Sequence, residues 1–380
     1  MLSAAIVGRM RVRHAESVKT NRPGVDRLRT IRAWLPTPVR RDRNLVYAAA
    51  MIAAVSGAGG FIGSAVVRKL VAEGRRVRAL VEPSASTRNL DDLPASQVER
   101  VSVDVCDYEG MARALDGAGA YYHLAAIYKL WLPDPSLIYR VNVEGTTTSL
   151  LAAKAAGVEK VVYTSSIAAV GLRADGVPSD ETVEFNLYDV ANDYILTKML
   201  SERIALSFAR TMPIVVVNPA FPFGSRDIAP TPTGKIVLSI LRGEVPGTAP
   251  GGFCAVDVDD VAAAHVAAET KGRVGERYIL GDHNVTFHDF AHLVARVGGV
   301  RAPALRLPRW LGTGAALGME LWSDYVTHEE PRATYRSIAY LQRTAFFDSS
   351  KARRELGLGS HPLEATIERS VRWFRESGMV

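Results

Sequence analysis

The chain has 380 residues, of which 48% are hydrophobic and 23% charged, so it is long enough for two globular domains or one enlarged α/β unit. Residues 1–50 hold 11 of the 46 Lys and Arg and 3 of the 40 Asp and Glu, which leaves 35 basic and 37 acidic groups in residues 51–380. The net charge of +6 therefore belongs to the leading segment, and a nucleic-acid-binding body is not indicated.

The leading segment, residues 1–50, has no sustained helical or strand period and is interrupted by Pro23, Pro36 and Pro38. We predict that it is disordered or precedes the natural start, because a strand-like run opens at Met51. The alternative is a basic arm that touches a membrane surface. Residues 45–55 imitate a signal peptide, but cleavage there would remove the first predicted strand.

From Met51 onward, strand and helix patterns alternate. Strands are predicted over 52–56, 76–81, 98–104, 120–124, 160–165 and 214–218, and helices over 63–73, 108–115, 137–156 and 193–209. This alternation predicts an α/β fold with a Rossmann-type, doubly wound parallel sheet over residues 51–219. Residues 220–380 lose the regular pattern and are predicted mainly to form a smaller C-terminal substrate-binding lobe, although 257–269 could return to the main sheet.

A glycine turn follows the first predicted strand, with Gly57, Gly60 and Gly63 at three-residue spacing before a helix. The first glycine permits a tight turn, the second lets backbone approach a pyrophosphate, and the third lets the helix pack on the strand. The turn therefore predicts a dinucleotide-binding site. Phe61 and Ile62, at the start of the helix, are also predicted to contact the cofactor.

The second predicted strand ends at Glu82, 25 residues beyond Gly57. A carboxylate at this point accepts hydrogen bonds from ribose hydroxyls and repels a 2′-phosphate, which favours NAD over NADP. Arg88 weakens the inference, because it could pair with such a phosphate, and Glu82 could be only a solvated strand end. The remaining predicted cofactor contacts also lie at strand ends: Asp104, Val105, Leu124, Ala125, Ala126 and Pro219.

Tyr194 and Lys198 lie four residues apart, on one face of a predicted helix. A phenol with a pKa of about 10 needs nearby positive charge to act as an acid or base at neutral pH, and Lys198 and the oxidised nicotinamide ring both supply it. Lys198 could also hydrogen-bond the nicotinamide ribose, so Tyr194 and Lys198 are predicted cofactor contacts as well. Ser166 follows a predicted strand and could hold a substrate oxygen, a role that Ser165 could also take. These residues predict a proton transfer that accompanies hydride transfer.

With these motifs the chain resembles the extended short-chain dehydrogenases/reductases, and within them the dihydroflavonol 4-reductase-like group and the bacterial hopanoid-associated sugar epimerases. The resemblance spans about residues 51–375 and is most specific over 128–135, 218–227, 230–234 and 275–281. It implies that Asn142 supports the active-site helix and a proton-relay water, although capping or packing of that helix is equally compatible. It also implies a possible homodimer through 137–156 and 193–209.

One residue departs from the resemblance: the group usually has Arg where this chain has Glu82, which puts NADP preference in doubt. Four residues are candidates for binding a small-molecule substrate, because aromatic walls with one cation suit a flat or phosphorylated molecule: Trp131, Phe221, Phe223 and Arg226. Each could instead be a packing or surface residue.

The sequence leaves three functions open. The first is an NAD(P)-dependent oxidoreductase that interconverts a ketone or aldehyde and an alcohol, and the second is a nucleotide-sugar epimerase or dehydratase with tightly bound NAD. The third is a non-catalytic dinucleotide sensor, against which Ser166, Tyr194 and Lys198 count, since a sensor needs no proton donor.

The two cysteines, Cys106 and Cys254, lie far apart and lack the spacing of a zinc site. We expect no metal, and a reduced, cytoplasmic protein in which each thiol is a small buried hydrophobic group. No apolar run approaches the ~20 residues of a transmembrane helix, so we expect no transmembrane segment.

Overall fold

The computed structural model describes residues 51–248, 250–329, 331 and 334–380. The predictions for residues 1–50 lie outside this part of the chain. Within it, no helix is both long and apolar enough to cross a membrane.

Strands and helices alternate along the first half of the described chain. The strands are β1 (Ile52–Ser56), β2 (Val77–Val81), β3 (Val98–Ser102), β4 (Ala118–His123), β5 (Lys160–Thr164), β6 (Ile214–Pro219), β7 (Phe221–Phe223), β8 (Gly247–Thr248), β9 (Gly252–Asp257), β10 (Arg277–Leu280), β11 (His283–Thr286), β12 (Leu305–Arg306) and β13 (Thr344–Ala345). The helices are α1 (Phe61–Ala72), α2 (Tyr108–Leu115), α3 (Ser136–Tyr139), α4 (Gly145–Ala155), α5 (Asp193–Phe208), α6 (Pro232–Leu241), α7 (Val258–Lys271), α8 (Phe287–Gly298), α9 (Arg309–Trp322), α10 (Tyr335–Leu341), α11 (Ser350–Leu356) and α12 (Leu363–Glu376).

The main sheet has seven parallel strands in the order β10-β6-β5-β4-β1-β2-β3. Its central strands are continuous apolar runs rather than alternating ones; every residue of β4 and β6 is buried. Such runs are typical of parallel strands covered by helices on both faces. The predicted Rossmann-type, doubly wound sheet is confirmed, and the strand order reverses between β1 and β4, where ligands bind in such folds.

The chain returns to the main sheet after the second, smaller sheet has begun. In that smaller sheet β9 pairs with β7, β11 and β13, and a phenylalanine-rich core lies against it. From β9 the chain continues into α7, which packs against α1, and then into β10, which pairs with β6. The prediction from sequence missed β10, because its partner strand lies about sixty residues earlier in the chain.

The predicted helix over 137–156 is present as α3 and α4, which are joined without a break by a wider π-helical turn at Arg140–Glu144. Single π-turns inside helices are frequently found at functional sites. This one carries Asn142, whose side chain is buried and bonded to backbone outside the helix.

Candidate active site

A cavity of about 860 Å³ opens at the carboxyl ends of the main-sheet strands. At one end it is lined by the glycine turn and by residues that follow β2 and β3, and at the other by Ser166, Tyr194 and residues of the 220–231 segment. Of its lining residues in the described part of the chain, only Arg140 and Lys198 are cations.

The glycine turn is held so tightly that side chains do not fit in it. Gly57 has φ +67°, and a Cβ there would lie 2.8 Å from the backbone nitrogen of Ala125. A Cβ on Gly63 would overlap the carbonyl oxygen of Gly57 and lie 2.8 Å from its carbonyl carbon. Gly60 is the N-cap of α1 and offers no side-chain cap, so first-turn amides remain available to an anion in the cavity.

Glu82 lies just beyond the end of β2 and lines the cavity. Its Oε2 accepts hydrogen bonds from the backbone nitrogen and the hydroxyl of Ser84, at 2.9 and 2.6 Å, which fixes the carboxylate at the strand end. Arg88 is exposed and lies outside the cavity lining. The carboxylate, rather than the guanidinium, is therefore the charge presented to the cavity here.

The other predicted cofactor residues come together around the same cavity. Asp104 accepts a hydrogen bond from the backbone nitrogen of Cys106 at 2.9 Å and pairs with Arg140 at 3.2 Å. The lining of the cavity also includes the other predicted contacts, which are Phe61, Ile62, Val105, Leu124, Ala125, Ala126 and Pro219. The structure thus assembles these predicted contacts, apart from Arg88, at one site.

Ser166, Tyr194 and Lys198 all line the cavity. Helix α5 begins after the N-cap Asn192, whose side chain accepts a hydrogen bond from Ile195 N, and this places Tyr194 in the first turn. Lys198, one turn later, is 6% exposed and donates through Nζ to the carbonyl oxygen of Thr164 at 3.1 Å.

Burial shifts the pKa values of the Tyr194 and Lys198 side chains in opposite directions. It raises the pKa of the Tyr194 phenol to about 12, although a hydrogen bond to Ser166 opposes the rise. It lowers the pKa of the Lys198 ammonium to about 8, against the attraction of Glu202. Both shifts disfavour the charged forms, so the tyrosinate needs a further positive charge nearby to become accessible.

Asn142 holds the segment that follows β4. Its Oδ1 accepts from Ile127 N at 2.7 Å, and its Nδ2 donates to Ile127 O and to the hydroxyl of Thr197, both at 3.1 Å. Thr197 in turn donates to the carbonyl oxygen of Tyr194. The packing role of Asn142 therefore has visible partners, whereas the proton-relay role stays a prediction.

The structure places the four candidate substrate residues outside this cavity. Phe221 and Phe223 pack on Phe253 in the core of the smaller sheet, and Phe223 is only 2% exposed, so neither ring lines this cavity. Alternation along β7 explains this, since Pro222 between them faces the cavity. Their role as substrate contacts stays a prediction.

Arg226 and Trp131 lie elsewhere. Arg226 pairs with Asp92 at 2.9 Å, and its guanidinium stands 5.8 Å from the ring centroid of Trp373. Trp131 lines a second cavity of about 450 Å³, together with Asn192 and Arg336. Arg226 therefore links the segment after β7 to the loop after β2 rather than presenting a cation to the main cavity.

Two lining residues, Tyr128 and Asp227, were not predicted from the sequence, and a third, Ser165, was predicted only as an alternative. Tyr128 packs on Tyr194 with ring centroids 4.7 Å apart. The buried carboxyl of Asp227, whose pKa burial raises to about 6, accepts hydrogen bonds from the nitrogen and hydroxyl of Thr231. Ser165 has a buried hydroxyl that finds no hydrogen-bond partner among the described residues, and it stays an alternative to Ser166. Tyr128 and Asp227 lie in the segments 128–135 and 218–227, whose family resemblance was the sequence feature that could have identified them.

The family model described as NAD dependent epimerase/dehydratase family matches residues 53–281. A Synechocystis protein provisionally named dihydroflavonol 4-reductase is 35% identical over 335 residues, 86% of this chain and 95% of that protein. The sterol demethylase protein B of Methylococcus capsulatus is 35% identical over 332 residues, 87% of this chain and 100% of that protein. Among solved structures, gox2253 is 40% identical with a TM-score of 0.77, over 86% of this chain and 98% of that one.

Proposed function

Because the chain belongs to the NAD dependent epimerase/dehydratase family, an extended branch of the short-chain dehydrogenases/reductases, we propose that it is an NAD-dependent oxidoreductase acting on an apolar substrate. The reaction interconverts a ketone or aldehyde and an alcohol. The observation that carries the proposal is the meeting of Ser166, Tyr194 and Lys198 at one end of a cavity whose other end is the glycine turn.

The cofactor assignment is supported by the residues at the glycine-turn end. The missing Cβ atoms of Gly57 and Gly63 and the uncapped start of α1 fit a pyrophosphate, which needs close backbone and free amides. The fixed carboxylate of Glu82 suits ribose hydroxyls and opposes a 2′-phosphate, which favours NAD over NADP. When bound, the nicotinamide supplies or accepts the hydride.

Side chains of the protein itself transfer the proton. Tyr194 donates it to the substrate oxygen during reduction and takes it back during oxidation, with Ser166 holding the same oxygen. The ammonium of Lys198 stabilises the tyrosinate, because an opposite charge nearby lowers the pKa of a phenol. Asn142 keeps the post-β4 backbone and the first turn of α5 in register through Ile127 and Thr197.

The apolar character of the substrate rests on the lining beside Tyr194. There Tyr128 packs on Tyr194, and the cavity lining also includes Pro222, Ile228 and Ala229, while Asp227 contributes a carboxyl rather than a cation. A nucleoside diphosphate sugar carries a pyrophosphate that Arg or Lys normally binds. Of the two lining cations, Arg140 pairs with Asp104 at the other end, and Lys198 is buried beside Tyr194. This distribution favours an apolar carbonyl compound over a nucleotide sugar.

Turnover of the nicotinamide by the full chain tests the proposal. With NAD and a panel of apolar secondary alcohols, we expect net formation of reduced cofactor, and Tyr194→Phe should lower kcat by at least about a hundredfold. Tyr188→Phe, at a tyrosine 59% exposed and outside the cavity lining, is the matched control and should react normally. Activity of Tyr194→Phe equal to that of the control would refute the role of Tyr194.

Cofactor behaviour separates this function from epimerisation, which the family description also allows. An epimerase should retain NAD through purification and isomerise nucleotide sugars without net cofactor change. Titrations with NADH and NADPH test Glu82 separately: wild type should prefer NADH, and Glu82→Arg should shift the preference toward NADPH. Tighter NADPH binding by wild type would contradict the role given to Glu82. The homodimer and the cytoplasmic location stay predictions.

A further inference from the structure

Helix α9, Arg309–Trp322, presents its apolar residues to solvent. Five large side chains on it are exposed, from Leu311 at 42% to Trp310 at 74%, and Ala316 is the buried residue of the helix. At 100° per residue, the exposed face spans an arc of about 140°. That arc comprises Trp310, Leu311, Gly314, Leu317, Gly318, Leu321 and Trp322. We call these seven residues the apolar face of α9.

The polar residues of α9 point the other way, toward the protein. Arg309 donates to the carbonyl oxygen of Gln342 at 3.1 Å, and Thr313 bonds the side chain of the same glutamine. Glu320 accepts from the backbone nitrogen of Tyr335, at the start of α10, at 2.7 Å. A surface helix of a globular protein normally turns its apolar stripe inward. Here the arrangement is reversed, so the apolar face has no apolar partner within the described part of the chain.

The chemistry around the face indicates which partner it fits. Tryptophans stand at both ends of α9, and beyond it Tyr325 is 79% exposed, the residue types that favour the boundary between lipid and water. Just before α9, Arg301 and Arg306 are exposed, and the one acid among residues 300–322, Glu320, bonds inward through its carboxylate. Positive charge beside an apolar face complements an anionic lipid surface.

The length of α9 specifies how it would meet that surface. Its 14 residues give about 21 Å, less than the ~30 Å of a bilayer core. We propose that α9 lies in the plane of an anionic membrane surface, with its apolar face inserted among the headgroups and upper acyl chains. The second cavity, lined by Glu320 of α9 and by Trp131 and Asn192, would then open close to lipid, beside the start of α5.

Sedimentation of the full chain with vesicles tests this inference. We expect wild type to bind vesicles of equal parts phosphatidylglycerol and phosphatidylcholine, and Leu317→Ser with Leu321→Ser to weaken binding at least about tenfold. The matched control is Val177→Ser with Val274→Ser, two aliphatic residues of similar exposure, 52% and 49%, away from α9. The control should bind as wild type does, and thermal unfolding should be the same for all three.

A second variant tests the charge without touching the apolar face. Arg301→Glu with Arg306→Glu should weaken binding to the mixed vesicles at least about tenfold. Three results would each overturn the inference. They are failure of wild type to bind the vesicles, unchanged binding by the Leu317 and Leu321 variant, and light scattering that shows a wild-type dimer dissociated by that variant. The last result would assign the apolar face to a second copy of the chain.

Discussion

Gly63 offers a direct test of how the glycine turn works, because an added methyl group meets backbone rather than a movable side chain. In Gly63→Ala the new Cβ would lie 2.8 Å from the carbonyl carbon of Gly57. Unstrained carbon atoms approach to about 3.5–4.0 Å, so the start of α1 and the turn must separate by about 0.7 Å or more.

This displacement outweighs the gain in helix propensity. Gly→Ala inside a helix usually stabilises a protein by about 0.5–1 kcal/mol, whereas overpacking costs about 1–3 kcal/mol. We expect Gly63→Ala to lower the free energy of unfolding by about 1–2 kcal/mol. The cofactor cradle moves with the turn, so NADH affinity should fall at least tenfold, roughly the effect of losing one good interaction.

Gly318→Ala is the matched control. Gly318 is also inside a helix, and a Cβ there would meet nothing within 4 Å. It should raise the free energy of unfolding by about 0.5–1 kcal/mol and leave NADH binding unchanged. Urea denaturation and NADH fluorescence titration measure both quantities. If Gly63→Ala binds NADH as tightly as Gly318→Ala does, the contact between turn and helix does not govern the cofactor site.

Three further outcomes follow from the buried polar groups. Asn142→Ala strands the N–H and C=O groups of Ile127 and should cost about 2–4 kcal/mol of unfolding free energy in urea denaturation, with a fall in kcat; an unchanged value would contradict the bridging role. Burial lowers the pKa of His123 from 6.5 to about 3, so between these pH values the imidazole is protonated in the unfolded chain but neutral in the folded chain. The contribution of His123 to the free energy of unfolding is therefore complete above pH 6.5 and falls by about 1.4 kcal/mol per pH unit below it. In the same assay, His123→Gln should lose less unfolding free energy than wild type between pH 6.5 and 5. Lys198, with a pKa of about 8, loses its charge as pH rises, so the reduction rate should fall above pH 8; in Lys198→Arg the pH profile of any remaining activity should extend higher.

Much of the main sheet could be predicted from the sequence because its strands are local, continuous apolar runs. The glycine turn could also be predicted, since φ +67° at Gly57 and the crowding at Gly63 demand glycine. β10 could not, because a four-residue strand after a separate sheet gives no local sign of its partner β6.

The substrate side of the cavity, in contrast, could not be predicted from the sequence. Phe221 and Phe223 looked like aromatic walls, but β7 pairs with β9, and this pairing turns both rings into the core of the smaller sheet. Composition alone cannot tell which face of a three-residue strand meets a cavity, because a shift of one residue exchanges the faces. Tyr128 and Asp227 were missed for the same reason: their positions depend on how distant segments pack.

The two ends of the cavity differ because different parts of the chain build them. The glycine-turn end includes backbone amides, the carboxylates of Glu82 and Asp104, and the apolar side chains of Phe61 and Ile62, all from β1 to β3 and the segments that follow them. The end beside Tyr194 takes its apolar lining from the loop after β4 and from residues 219–231. Substitutions in the later segments can therefore change the substrate side while leaving the glycine turn and Glu82 in place.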